Sequence, residues 1–96
     1  MSVKQSFAEQ IKAQSDVWKV QIKEYQDQFE QARAKSQSDQ RKAISQMEEM
    51  AAEAFKLFQQ VQTASETAWK DMHAANQKAL AELQKGWADA LSRFNN

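Results

Sequence analysis

The residue types that could carry chemistry are few and scattered. His73 is the single histidine, and the 96 residues contain no cysteine. A histidine-rich metal site and a thiolate site are therefore excluded, and a histidine-dependent catalytic pair would have to be built around that one ring. A histidine on the surface or on the flank of an apolar stripe is the simpler reading. Glu48, Glu49 and Glu53 form a small acidic cluster that could offer oxygens to a hard cation. They lack the loop spacing of a calcium site, and on a helix they read as a solvated face on which Glu49 and Glu53 repel slightly. No catalytic constellation is present, so we expect no enzyme, no cofactor, no metal site and no small-molecule substrate. Trp18, Trp69 and Trp87 lie on or near apolar stripes. Core packing is their ordinary role, and contact with a partner groove or lipid is the functional one.

Whatever these side chains do, helices must position them. One Gly, no Pro, sixteen Ala and fifteen Gln make a composition heavy in helix formers and short of turn residues, and all-α is the only fold class that fits. From Ala43 to Phe94, large apolar residues recur every eleven positions on two rows: Met47, Phe58, Trp69, Leu80, Leu91, and Met50, Val61, Met72, Leu83, Phe94. Eleven residues at about 100° each make three turns with about 20° left over, so both rows stay on one side of a helix. Thirteen basic residues balance thirteen acidic ones without blocks of either sign, which argues against nucleic acid as a partner. Residues 1–10 hold no continuous apolar run, and no segment approaches the ~20 apolar residues of a spanning helix. The default expectation is a cytoplasmic protein.

Ser2 with Gln5 has the form of a capping box, so the first helix is expected to start at residue 3 and run to about 35. Its stripe reads Val3, Phe7, Ile11, Trp18, Ile22, Tyr25, Phe29 and Ala32, with Ser15 and Ser36 at otherwise apolar positions. Val17 and Val20 fall outside it, and single exposed valines need no explanation. The polar run 34–42 predicts a turn at about 36–40, with Ser36 and Asp39, or Ser38 alone, available to cap a new helix. The heptad phase also slips by one residue across it, which rotates the stripe by about 100°. A helix that simply continues is the alternative.

The second helix is expected to run from about 40 to 94, about 80 Å at 1.5 Å per residue against about 50 Å for the first. That leaves about 30 Å of apolar stripe, with Trp87 and Phe94, unpartnered in a hairpin. Either another subunit covers the overhang, or the chain bends again near Thr63 to Thr67, where Thr63 and Glu66 could form a capping box, to make a three-helix bundle. The eleven-residue rows keep phase through that point, which favours an unbroken helix and an oligomer. Ala51, Ala54, Ala68, Ala75 and Ala79 lie between the large residues and suit close helix packing. Lone Gly86 signals close packing or tolerance, and Glu66 with Lys70 and Asp89 with Arg93 are favourable i,i+4 pairs. The expected association surface comprises Phe7, Ile11, Trp18, Ile22, Tyr25, Phe29, Met47, Met50, Phe58, Val61, Trp69, Met72, Leu80, Leu83, Trp87, Leu91 and Phe94.

Ser65, Ala68, Trp69 and Met72, followed by Leu83, Trp87, Ala90 and Ser92-Arg93-Phe94, form a pattern that resembles small bacterial coiled-coil proteins of unassigned function, whose tails carry a similar Ser-x-x-Ala-Trp and Ser-Arg-Phe. The resemblance covers residues 65–94 and implies a helical bacterial protein, with no catalytic residues to transfer. In length, Ala and Gln content and amphipathic helix near Ala74 to Leu83, the chain is also similar to phasins, the helical coats of polyhydroxyalkanoate granules. The expectation is a single helical domain, residues 1–96, that acts as a self-associating coiled-coil structural or interaction protein. The alternative is a coat on an apolar granule or membrane surface.

Overall fold

The computed structural model describes residues 3–31 and 37–95. Three helices account for nearly all of them: α1 (Val3–Gln31), α2 (Gln37–Thr63) and α3 (Glu66–Asn95). The all-α class and the antiparallel packing of α1 on α2 are as expected. Ser2 and Ser36, the proposed caps, lie outside the described residues, as does the end expected for the first helix. Residues 37–40, expected in the turn, are already helical.

The long second helix is corrected. The chain bends at Ala64 and Ser65, and α3 folds back along α2. The molecule measures 52 × 19 × 14 Å, too short for a helix of about 80 Å. The eleven-residue rows gave no warning, because a periodic stripe reports which side of each helix is apolar and is silent on whether two helices are continuous.

The bend is made by hydroxyl side chains and one lysine. Ser65 caps α3, its Oγ accepting a hydrogen bond from Ala68 N at 3.1 Å. Thr63, the candidate cap had the chain bent here, instead donates from Oγ1 to Gln59 O (2.9 Å) and Gln60 O (3.4 Å) in the last turn of α2, a back-bond that satisfies carbonyls a helix end leaves open. Ala64 N closes a tighter bond to Val61 O at 3.3 Å. The Ala64 carbonyl accepts from Lys4 Nζ at 2.6 Å, which brings a cation from the first turn of α1 to the negative end of the α2 dipole. No described residue has positive φ, so this reversal proceeds without a glycine cap.

α2 is the central element, packing on both α1 and α3, whereas α1 and α3 run parallel and meet mainly through side chains. Ile11, Met47, Ala54 and Val61 are fully enclosed. Ser15 is too, as its place on the stripe implies, and its Oγ reaches the Ala51 carbonyl at 3.5 Å. Of the spacer alanines, Ala51 and Ala54 are buried and Ala79 packs at the core edge, but Ala68 and Ala75 are exposed. Neither expected i,i+4 ion pair is among the two found in the described residues, which are Lys12–Asp16 (3.0 Å) and Glu53–Lys56 (3.9 Å). Both are exposed pairs within one helix and contribute little.

Replacing Ser65 by Ala removes the α3 cap and should lower stability by about 1 kcal/mol, roughly 4–8 °C in Tm for a chain of this size. Thr63→Ala should cost less. An unchanged S65A melting curve by circular dichroism would contradict the cap.

Candidate association surface

Of the seventeen residues expected to hold chains together, all but Met72 belong to or pack against the core of one chain. Ten are buried: Phe7, Ile11, Trp18, Ile22, Met47, Val61, Trp69, Leu80, Trp87 and Phe94. The other seven, Tyr25, Phe29, Met50, Phe58, Met72, Leu83 and Leu91, are half-buried. The folded-back α3 provides the partner that the overhang lacked.

Aromatic rings close the α1–α3 seam. Phe7 meets Trp69 at 5.3 Å between centroids, Trp18 stacks on Trp87 at 4.8 Å with planes 3° apart, and Tyr25 tilts against Phe94 at 4.9 Å. Ring pairs of this kind add about 0.5–1.5 kcal/mol each beyond their burial. His73 belongs to this seam: half-buried, it sits edge-on to Phe7 (5.7 Å) and tilted on Trp69 (4.4 Å). It is a flank residue with aromatic neighbours. Among the described residues, no group of three or more His, Cys, Asp or Glu stands where it could hold a metal ion. Glu48, Glu49 and Glu53 are exposed, and Glu48 accepts from Gln26 Nε2 at 3.4 Å.

Glutamines make most of the polar links between helices. Gln46 donates to the Gly86 carbonyl at 3.0 Å and accepts from Arg93 at 3.3 Å. Gln40 donates to the Phe94 carbonyl at the end of α3 (3.4 Å), and Gln84 donates to Gln14 (3.5 Å). These contacts, and Lys4, were not foreseen from sequence; fifteen glutamines in a helical chain were the signal available.

A groove of about 580 Å³ runs between α2 and α3, floored by Met50, Leu57, Ala79, Leu83 and Gly86 and rimmed by Glu53, Lys56 and Glu82. Gly86 permits close approach there, for a β-carbon would lie 2.7 Å from Met50 Sδ. Asn76, absent from the sequence-based expectation, also lines the groove; it is buried, and its Nδ2 has no hydrogen-bond partner. A second groove of about 570 Å³ between α1 and α2 is ringed by Lys4, Glu9, Lys12 and Glu66 around Phe58.

No family model, curated protein or solved structure matches the chain. Its surface must therefore be read from the residues alone. Four large hydrophobic residues among those described are exposed: Val3 (68%), Val17 (49%), Val20 (60%) and Phe55 (37%). Lys19 Nζ lies 4.7 Å above the Phe55 ring, a cation–π contact that partly shields it. The three valines share α1; Val17 and Val20 were expected outside the core stripe, whereas Val3, expected on it, is left uncovered.

A buried amide donor without a partner costs roughly 1–3 kcal/mol. Asn76→Leu should therefore raise the urea midpoint by an amount equivalent to about 1 kcal/mol or more. A lower midpoint would mean that Nδ2 has a partner in solution.

Proposed function

We propose that this chain is a non-enzymatic helical interaction protein that associates with copies of itself. The observation that carries this reading is the distribution of apolar surface after the core has closed. Apart from Val3, the stripes of α1, α2 and α3 are consumed internally, and three of the four exposed large hydrophobics fall on one helix. Scattered single residues of this kind need no explanation, whereas a concentration on one face marks a contact surface. Sedimentation or light scattering over a concentration series should show the mass rising from the 11.0 kDa of one chain toward twice that value. A constant single-chain mass up to millimolar concentration overturns the reading.

The coat reading has one observation in its favour. α1 and α3 meet mainly through rings and α2–α3 turns in two residues, so the bundle could open about that turn and lay its stripes on an apolar surface. No helix among the described residues is long and apolar enough to cross a membrane, so contact of this kind would be interfacial. Opening about that turn would forfeit the α2–α3 packing and the α1–α3 ring contacts, which makes self-association of the closed bundle the stronger reading. Flotation with phospholipid vesicles or polyhydroxyalkanoate granules tests the coat: co-flotation with a shift in tryptophan emission is its expected result, and protein left at the bottom of the gradient rejects it.

A further inference from the structure

We infer that the outer face shared by α1 and α3 is a two-fold pairing surface for a second copy of this chain, with α1 of each copy lying along α3 of the other. The inference rests on the self-association reading and specifies where and how that association occurs.

Val17 and Val20 are not isolated. With Val3, Ser6, Gln10 and Ala13 they follow alternating steps of three and four, so they form a second seam on α1, about a third of a turn round from the core seam. It carries no charge from Val3 to Val20. Beside it on α3 stands an exposed column at heptad spacing, Ala74, Ala81 and Ala88. The Gln84–Gln14 hydrogen bond fastens the two helices along this side. Branched side chains on one helix and a column of methyl groups on the parallel one are complementary in shape, and small residues allow two helices to approach closely.

One edge charge pair and the sizes of the facing side chains choose the arrangement. Trp18 lies against Trp87 and Tyr25 against Phe94, offsets of 69 (87 − 18 and 94 − 25), and Gln14 bonds Gln84, an offset of 70 (84 − 14). Over residues 14–25 a residue of α1 is therefore level with the one about 69 positions later on α3, whereas at Phe7 the offset to Trp69 is 62 (69 − 7). The edge of the face along α1 carries Asp16, and the edge along α3 carries, at that level, Lys85. A two-fold axis parallel to the helices lays α1 over α3 of the other copy without changing level. It sets Asp16 opposite Lys85, a pair made twice. Asp16 is already bonded to Lys12, and a carboxylate has acceptor sites to spare. A two-fold axis across the helices would instead lay α1 along α1 of the other copy, where Val17 and Val20 meet branched side chains in place of the small Ala74, Ala81 and Ala88. The same axis sets Val17 and Val20 near the level of Ala88, and Gln10 and Ala13 near that of Ala81.

A face bounded by the 52 Å and 19 Å extents of the molecule is roughly 1,000 Å² at most, and the Val3–Val20 seam spans about 26 Å of its length, which places the interface at or below the ~800 Å² per partner of a standard one. The α2–α3 groove is the competing surface, but its rim of Glu53, Lys56 and Glu82 offers a second copy no comparable match.

The test reads dimer dissociation by analytical ultracentrifugation, with circular dichroism melting as the control for folding. Val17→Glu and Ala81→Glu alter exposed positions and should leave melting unchanged while weakening the dimer at least about a hundredfold. Asp16→Lys and Lys85→Asp should each weaken it about tenfold, and the double reversal D16K/K85D should recover most of that loss. Ala75→Glu, in the α2–α3 groove, should have no effect. A dimer that ignores V17E and A81E but is lost with A75E overturns this inference and leaves the self-association reading standing. Dimers lost with V17E but not rescued by the double reversal reject the two-fold arrangement. A chain that is monomeric at every concentration removes both.

Discussion

The structure depends on the reversal at Ala64 and Ser65. Interrupting a helix gives up backbone hydrogen bonds worth about 0.5–1.5 kcal/mol each, and Thr63, Ser65 and Lys4 replace part of that loss. What the reversal gains is the burial of Trp69, Leu80, Trp87 and Phe94, and a fully buried large apolar side chain contributes about 1.5–3 kcal/mol. Four such side chains outweigh a few end bonds. A continuous helix would have left them in water, so folding back is favoured unless another chain arrives first.

Two kinds of contact then define the bundle. Rings span the α1–α3 seam, where the backbones do not come close, because only large flat side chains reach across and still pack. Amides link the helices elsewhere, chiefly through Gln46 between the Gly86 carbonyl and Arg93. Glutamine can donate and accept at once, so it fixes register without placing a charge where it must be desolvated. The ion pairs found lie within single helices and take no part in holding one helix to another. The fold is thus built from short-range, weakly salt-sensitive contacts.

How much of this could be read beforehand varies with the kind of information involved. The stripes were legible because helical period is local, and even the polar member Ser15 was placed correctly on its apolar row. The break at 64–65 was recognisable only as an alternative: its hydroxyl-rich stretch from Thr63 to Thr67 has no Gly or Pro, and the decisive partner, Lys4, is sixty residues away. Asn76 was illegible for a different reason. Its place on the stripe is visible only if a polar residue is expected there, and nothing local says whether its amide will find a partner. Val17 and Val20 looked like isolated exceptions because the column that gives them meaning, Ala74, Ala81 and Ala88, belongs to another helix.

The same separation bears on how such a protein can combine folding with association. A chain that used its Trp and Phe stripes for both purposes would face a competition between closing on itself and pairing with a neighbour, with domain swapping as the natural failure. Here all three tryptophans are in the core and the one exposed phenylalanine, Phe55, is on α2, while the proposed pairing face on α1 and α3 is made chiefly of Val, Ala and Gln. Small side chains give a shallow surface with a modest apolar payload, too weak to compete with the core and too neutral to repel a like copy. Edge charges supply the orientation that such a face lacks, because rim pairs add little energy yet discriminate strongly between arrangements. Stability and partner choice would then sit on different sides of α1, and the faces can be altered independently.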